Sequence, residues 1–132
     1  MGVLDLLRYD KFTIGSAWRS DYGDRDGPDG EAHFKNQLKL SPYHNVPKDG
    51  IEKYPATLLL TSDHDNRVVP LHSFKHAAEL QYQIGSKLND PVLLRVDLNA
   101  GHGAGKSTEQ IIDEIADIYC FLQVALNLKY HE

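Results

Sequence analysis

Two apolar runs of strand length, each followed by a helical pattern, constrain this chain more than any other feature. Residues 56–61 (ATLLLT) and 92–98 (VLLRVDL) are near-continuous apolar segments, the type found in parallel sheets covered on both faces. Between them Pro70 marks a helix start. Leu71, Phe74, Ala77, Ala78 and Leu80 then recur near helical spacing over 71–84, and Gly85 supplies the stop. After the second run, Ser107 or Thr108 is placed to cap a last helix, with Glu109 in its first turn. In that helix Ile111, Ile112, Ile115, Ile118, Tyr119, Leu122 and Leu126 form a wide stripe that must be packed against something. The order strand, helix, strand, helix argues for an α/β fold with a mostly parallel sheet flanked by helices.

The first half of the chain is less regular. Val3 to Leu7 reads as a short strand. Residues 19–31 (RSDYGDRDGPDGE) read as a loop of solvated turn charges, and 47–55 (PKDGIEKYP) as another. Residues 32–40 suit a short helix ended by Ser41-Pro42. Helices with such full apolar faces expect more sheet than these three strands provide. The sheet is expected to end in an unpaired edge.

A length of 132 residues is that of one domain, and 41% hydrophobic residues suffice for a core, which excludes compositional disorder. The net charge of −5, without any long Lys or Arg run, excludes a basic nucleic-acid footprint and attraction to an anionic membrane. No stretch approaches the ~20 apolar residues of a membrane-spanning helix. Asp5 interrupts the short apolar opening, so no signal peptide is read. Cys120 is the only cysteine, which rules out an intrachain disulfide. Its apolar helical setting predicts a buried, inert thiol. Together these features point to a reducing, cytoplasmic compartment.

No metal is expected. The Asp- and Gly-rich loop lacks calcium-loop spacing. His72 and His76 are four apart on a helix, but Ser73 stands where a metalloprotease pattern needs Glu. One of these two should face solvent while the other packs. His33, His44, His64 and His131 read as ordinary surface or packing residues.

Functional side chains of α/β sheets cluster beyond the carboxyl ends of the strands. Two loops hold that place here, TSDHDNRVVP at 61–70 and NAGHGAGKS at 99–107. The first offers Asp63, His64, Asp65 and Arg67, and the second offers His102 between two glycines. An acid after one strand and a histidine after the next is the chain order of an α/β-hydrolase triad after its serine. There the His takes the serine proton, and the Asp fixes the His tautomer and stabilises the imidazolium. The plainer reading is a turn or cap Asp and an ordinary glycine loop. Residues 100–107 also approach a phosphate-binding loop, but Ala100 stands where that motif needs Gly.

TSDHDNRVVPLHS and AGHGAGK closely resemble the corresponding loops of the prolyl oligopeptidases, serine peptidases of α/β-hydrolase fold. YDKFTIGSAWRSDYG and LSPYHNV are also similar to that family, and the likeness runs from Gly2 to the last helix. The resemblance implies that Asp65 is the triad acid and His102 the triad base, with Asp63 structural. It implies that Arg67 bonds the substrate backbone, that Trp18 stacks on the substrate proline, and that Tyr22, Val68 and Val3 belong to the same pocket. The chemistry fits, because a proline ring is apolar and offers no N–H, and an indole face suits it. On the residues alone, Trp18 reads more readily as a plain core aromatic and Arg67 as a surface ion-pair partner. The implied substrates are short proline-containing peptides, the implied cofactor none, and the implied complete enzyme a monomer.

The departure from the family pattern lies in the nucleophile. No G-x-S-x-G elbow occurs; Ser16, Ser62, Ser73 and Ser107 all lack it. The oxyanion donor that follows the nucleophile is missing with it, as is the family's β-propeller. The expectation is a partial peptidase domain over residues 1–132 that is inactive alone. The rival expectation is a non-catalytic binding module.

Overall fold

The computed structural model describes residues 1–85, 87, 89–103 and 105–129; His131 lies outside them. At its centre β1 (Thr57–Ser62) and β2 (Val92–Asp97) pair in parallel, Thr57 opposite Val92 and Ser62 opposite Asp97. The ladder runs one step further, since Asp63 N–H donates to the Asp97 carbonyl at 3.0 Å. Parallel neighbours need a crossover, and α3 (Leu71–Leu80) provides it, packing on both strands and continuing as one π-helical turn, Gln81–Gly85. Leu80 and Ile84 of this crossover are fully buried with Val46 and Val92, and Ile51, Tyr54 and Leu59 close around them. The last helix, α4 (Thr108–Ala125), starts at a full capping box. Ser107 Oγ accepts from Gln110 N–H at 3.1 Å, and Gln110 Oε1 accepts from Ser107 N–H at 2.8 Å.

In the first half, α1 (Arg19–Tyr22) is a single turn and α2 (Gly30–Leu40) starts two residues ahead of expectation. The 19–31 stretch is therefore not all loop, and its cations are not merely solvated. Arg19 and Arg25 both reach Asp10, at 3.0 and 2.6 Å.

The segment Val3–Leu7 is no strand. It has no sheet neighbour, and its backbone groups are satisfied singly. Tyr43 N–H donates to the Leu4 carbonyl at 2.8 Å, Leu6 N–H to Ser41 Oγ at 3.0 Å, and Asp5 N–H to His72 Nδ1 at 3.2 Å. Asp5 is fully buried between Lys75 and Arg8. Burial pushes its carboxyl up, but hydrogen bonds from Lys75 and Arg8 outweigh that and hold it below the ordinary range.

Three other expectations are corrected. His72 and His76 are both buried, because α3 lies between the sheet and the N-terminal segment and so has two covered sides. The α4 stripe is largely open: Ile111, Ile112, Ile115, Tyr119, Leu122 and Leu126 are all exposed. A two-stranded sheet offers too little surface to cover it, and the strands themselves are only half-buried on average, Leu93 being 48% exposed. Cys120 is exposed as well, on the rim of a groove of about 430 Å³ between β2 and α4.

Candidate functional site

Both loops that leave the sheet at its carboxyl end are tied to it and to each other. Asp63 Oδ1 accepts from Ala100 N–H at 3.4 Å and from His64 Nδ1 at 2.7 Å. His64 N–H donates to the Ala100 carbonyl at 3.2 Å. The hydrogen bond from His64, with help from the Asn99 and Ala100 backbone, holds the Asp63 carboxyl below its usual value.

Two residues on, Asp65 is almost fully buried. Its Oδ1 accepts the backbone N–H groups of Arg67 and Val68, both at 2.9 Å, a local turn that Asp favours. Its Oδ2 lies 2.7 Å from His102 Nδ1. Facing a carboxylate, Nδ1 carries the ring proton and leaves the Nε2 lone pair available. The His102 side chain keeps 30% of its surface exposed. Gly103, at φ +74°, turns the backbone just past it, and no neighbour crowds that position. Asp65 thus does two jobs with one carboxylate: it orients the imidazole, and it shapes the turn that displays Arg67 and Val68.

That turn forms one wall of a cavity of about 500 Å³. Trp18, Tyr22 and Val3 line it opposite Arg67 and Val68, and His102 stands at its border. Trp18 caps α1 and Tyr22 ends it, so one helical turn brings their rings to the same side. Gly15 allows this approach. A Cβ there would come within 1.8 Å of the Tyr9 carbonyl oxygen. Tyr9 in turn supports Tyr22 edge-to-face at 5.1 Å and anchors its hydroxyl on the Gly23 carbonyl at 2.9 Å. Among the described residues the Arg67 guanidinium has no ion-pair or hydrogen-bond partner. It is an exposed cation at the rim rather than the surface ion-pair partner its type suggests.

Of the seven residues singled out by sequence, His102, Trp18, Tyr22, Arg67, Val68 and Val3 line one cavity, and Asp65 stands behind it, bonded to His102 and to the Arg67–Val68 turn. Sequence reading missed Asp21, which shares the cavity. Its position one residue before Tyr22 on α1 is the signal that could have found it.

Among the described residues no serine lines this cavity or the neighbouring one of about 400 Å³ that His102 also borders. Ser62 and Ser73 are buried, and Ser107 Oγ is engaged in the cap of α4. The glycine loop is also unfit for phosphate. Lys106, the residue such a loop offers to an anion, is 7% exposed and held by Asp97 and Glu114.

A model of the prolyl oligopeptidase family matches residues 1–129. Prolyl endopeptidase of Dictyostelium discoideum is 51% identical over 129 residues, 98% of this chain and 16% of the relative. Prolyl oligopeptidase A of Galerina marginata is 52% identical over 132 residues, 100% of this chain and 17% of the relative. Among solved structures, prolyl oligopeptidase B from Galerina marginata bound to a 35mer hydrolysis and macrocyclization substrate superimposes with a TM-score of 0.85. It is 41% identical and is covered to 18% of its length by 99% of this chain. The fold is thus that of part of an α/β-hydrolase, and the chain spans 16 to 17% of the length of the curated relatives it matches. On the match of residues 1–129 and these identities, the chain belongs to the prolyl oligopeptidase family.

Proposed function

We propose that these 132 residues are part of an α/β-hydrolase domain and supply the acid, the base and the proline pocket of a serine endopeptidase. The reaction is cleavage of short peptides on the carboxyl side of proline. The observation that carries this reading is the 2.7 Å contact of Asp65 Oδ2 with His102 Nδ1 at the border of the Trp18 and Arg67 cavity. In this reading His102 Nε2 accepts the proton of a serine hydroxyl that residues outside these 132 contribute. The oxygen attacks the carbonyl carbon that follows the proline ring. Asp65 stabilises the imidazolium, which then protonates the leaving amine. Water, activated by the same imidazole, releases the acyl group. Trp18 stacks on the proline ring and Arg67 donates to the backbone of the bound peptide. No cofactor takes part.

An exposed free thiol, Cys120, supports a reducing, cytoplasmic setting. In the same reading the complete enzyme works as a monomer.

The test uses a chimera in which the matching 129 residues of the Dictyostelium discoideum prolyl endopeptidase are replaced by this chain. A fluorogenic Gly-Pro amide is the substrate. The chimera is expected to release the fluorophore, His102→Ala in it to abolish release, and the 132-residue chain alone to release none. A folded chimera without activity, or release by the chain alone, defeats the proposal.

A further inference from the structure

The loop that carries His102 is anchored at its entry by buried Ala100, but its exit half has open space around it. Among its described residues three lie at positive φ, Asn99 (+55°), Gly103 (+74°) and Gly105 (+83°). A Cβ built on either glycine would meet nothing within 4 Å. What restrains the exit half must therefore be polar. On the entry side Asp63 and His64 hold Ala100, as described. On the exit side stands Lys106. Its ammonium reaches back 2.5 Å to Asp97 Oδ2 at the end of β2 and also bonds Glu114, in the second turn of α4. One side chain near the exit of the loop thus joins the end of β2 to the helix that follows. Lysine side chains are seldom this buried unless paired. Burial opposes the charge, but Asp97 and Glu114 raise the Lys106 pKa above its ordinary value, so the ammonium stays charged. Arg95 completes the cluster through Asp97, Glu114 at 3.7 Å and Asp117 at 2.7 Å. Lys106 and His102 border the same cavity.

We infer that Lys106 is a positioning residue for His102, a staple that fixes the exit of the loop so that Nδ1 stays on Asp65. The inference deepens the function proposed above and rests on that reading for its effect on turnover. Its structural content does not depend on turnover, because the His102 to Asp65 hydrogen bond can be observed directly.

The closing experiment has two readouts. In the 132-residue chain, the imidazole proton shared between His102 and Asp65 is sought in the low-field ¹H NMR spectrum and assigned by its loss in His102→Gln. Lys106→Met is expected to remove that signal while circular dichroism stays unchanged, and Lys106→Arg to restore it. In the active chimera, Lys106→Met is expected to lower kcat on the order of 10- to 100-fold, the scale of a misplaced reacting group, with KM within about twofold. A signal that persists in Lys106→Met, or a kcat that does not fall, overturns the assignment. If the parent chimera is inactive, the proposed function fails and the low-field signal alone decides on Lys106. If Lys106→Met does not fold, Glu114→Gln takes its place, and an unchanged signal there overturns the inference too.

Discussion

Replacing Asp65 with Asn exchanges one oxygen for an amide nitrogen and leaves the shape of the side chain unchanged. The amide oxygen can keep both backbone bonds, from Arg67 and Val68 at 2.9 Å, so the turn that displays the pocket residues survives. The amide nitrogen then takes the place of Oδ2, 2.7 Å from His102 Nδ1. Two N–H groups cannot share that line. The imidazole must move its proton to Nε2, the atom that has to accept one from the nucleophile. The stability loss is that of one hydrogen bond to a charged group, about 1.5–3 kcal/mol. The kinetic loss is far larger, about 10,000-fold in kcat, the size seen when the same exchange is made in a serine-protease triad. KM for a Gly-Pro amide should stay within about threefold, because Trp18, Tyr22 and Val68 are untouched. The assay is steady-state hydrolysis by the active chimera, with a urea titration beside it. An Asp65→Asn chimera that keeps a tenth of its kcat, or loses KM instead, would falsify the assigned role.

Three further expectations follow from the same geometry. Trp18→Ala in the chimera should lower kcat/KM for the Gly-Pro amide at least about 5-fold, since a lost aromatic contact is worth about 1 kcal/mol beyond its area; an unchanged value would place the proline elsewhere. Leu80→Ala, at a fully buried core position, should destabilise the chain by about 2–5 kcal/mol in urea unfolding, and a shift under 1 kcal/mol would mean that the core collapses around the gap. Burial pushes the pKa of both His72 and His76 down. The unfolded chain therefore binds protons that the folded one does not as pH falls below about 6.5, and stability should fall between pH 7.5 and 5.5. Asp5, shifted down, works against the fold only at lower pH, once its carboxyl takes a proton. A flat urea midpoint over the upper window would show that the two imidazoles are solvated.

What local sequence can show is a period and a punctuation mark, and here those were reliable where one chain segment decides the outcome. The leucine run of β1, Pro70 before α3 and the Ser107 cap of α4 depend on near neighbours, and each stands within a residue or two of its expected place. That the seven predicted residues gather around one cavity was legible because two of the loops follow adjacent strands and the longer motifs resemble a known family. What lies opposite a given face is a different matter. The α4 stripe announces that it wants cover without saying what provides it, so Ile112 and Tyr119 are exposed in this chain. Cys120 is exposed for the same reason. His72 and His76 look like one surface and one core residue in a helix with one covered side, yet α3 is covered twice, by the sheet and by the N-terminal segment. Val3–Leu7 has strand composition but no partner strand, and pairing decides whether such a segment becomes a strand.

The extra rung at Asp63 and Asp97, with the Asp63 and His64 bonds to Ala100, has a mechanical consequence. The two loops are fastened directly to each other as well as to the body of the chain. A fluctuation that lifts one of them carries the other along, so the motion is common to both and drops out of the separation between their tips. An acid and a base mounted in this way can hold a constant spacing on a support that is itself compliant.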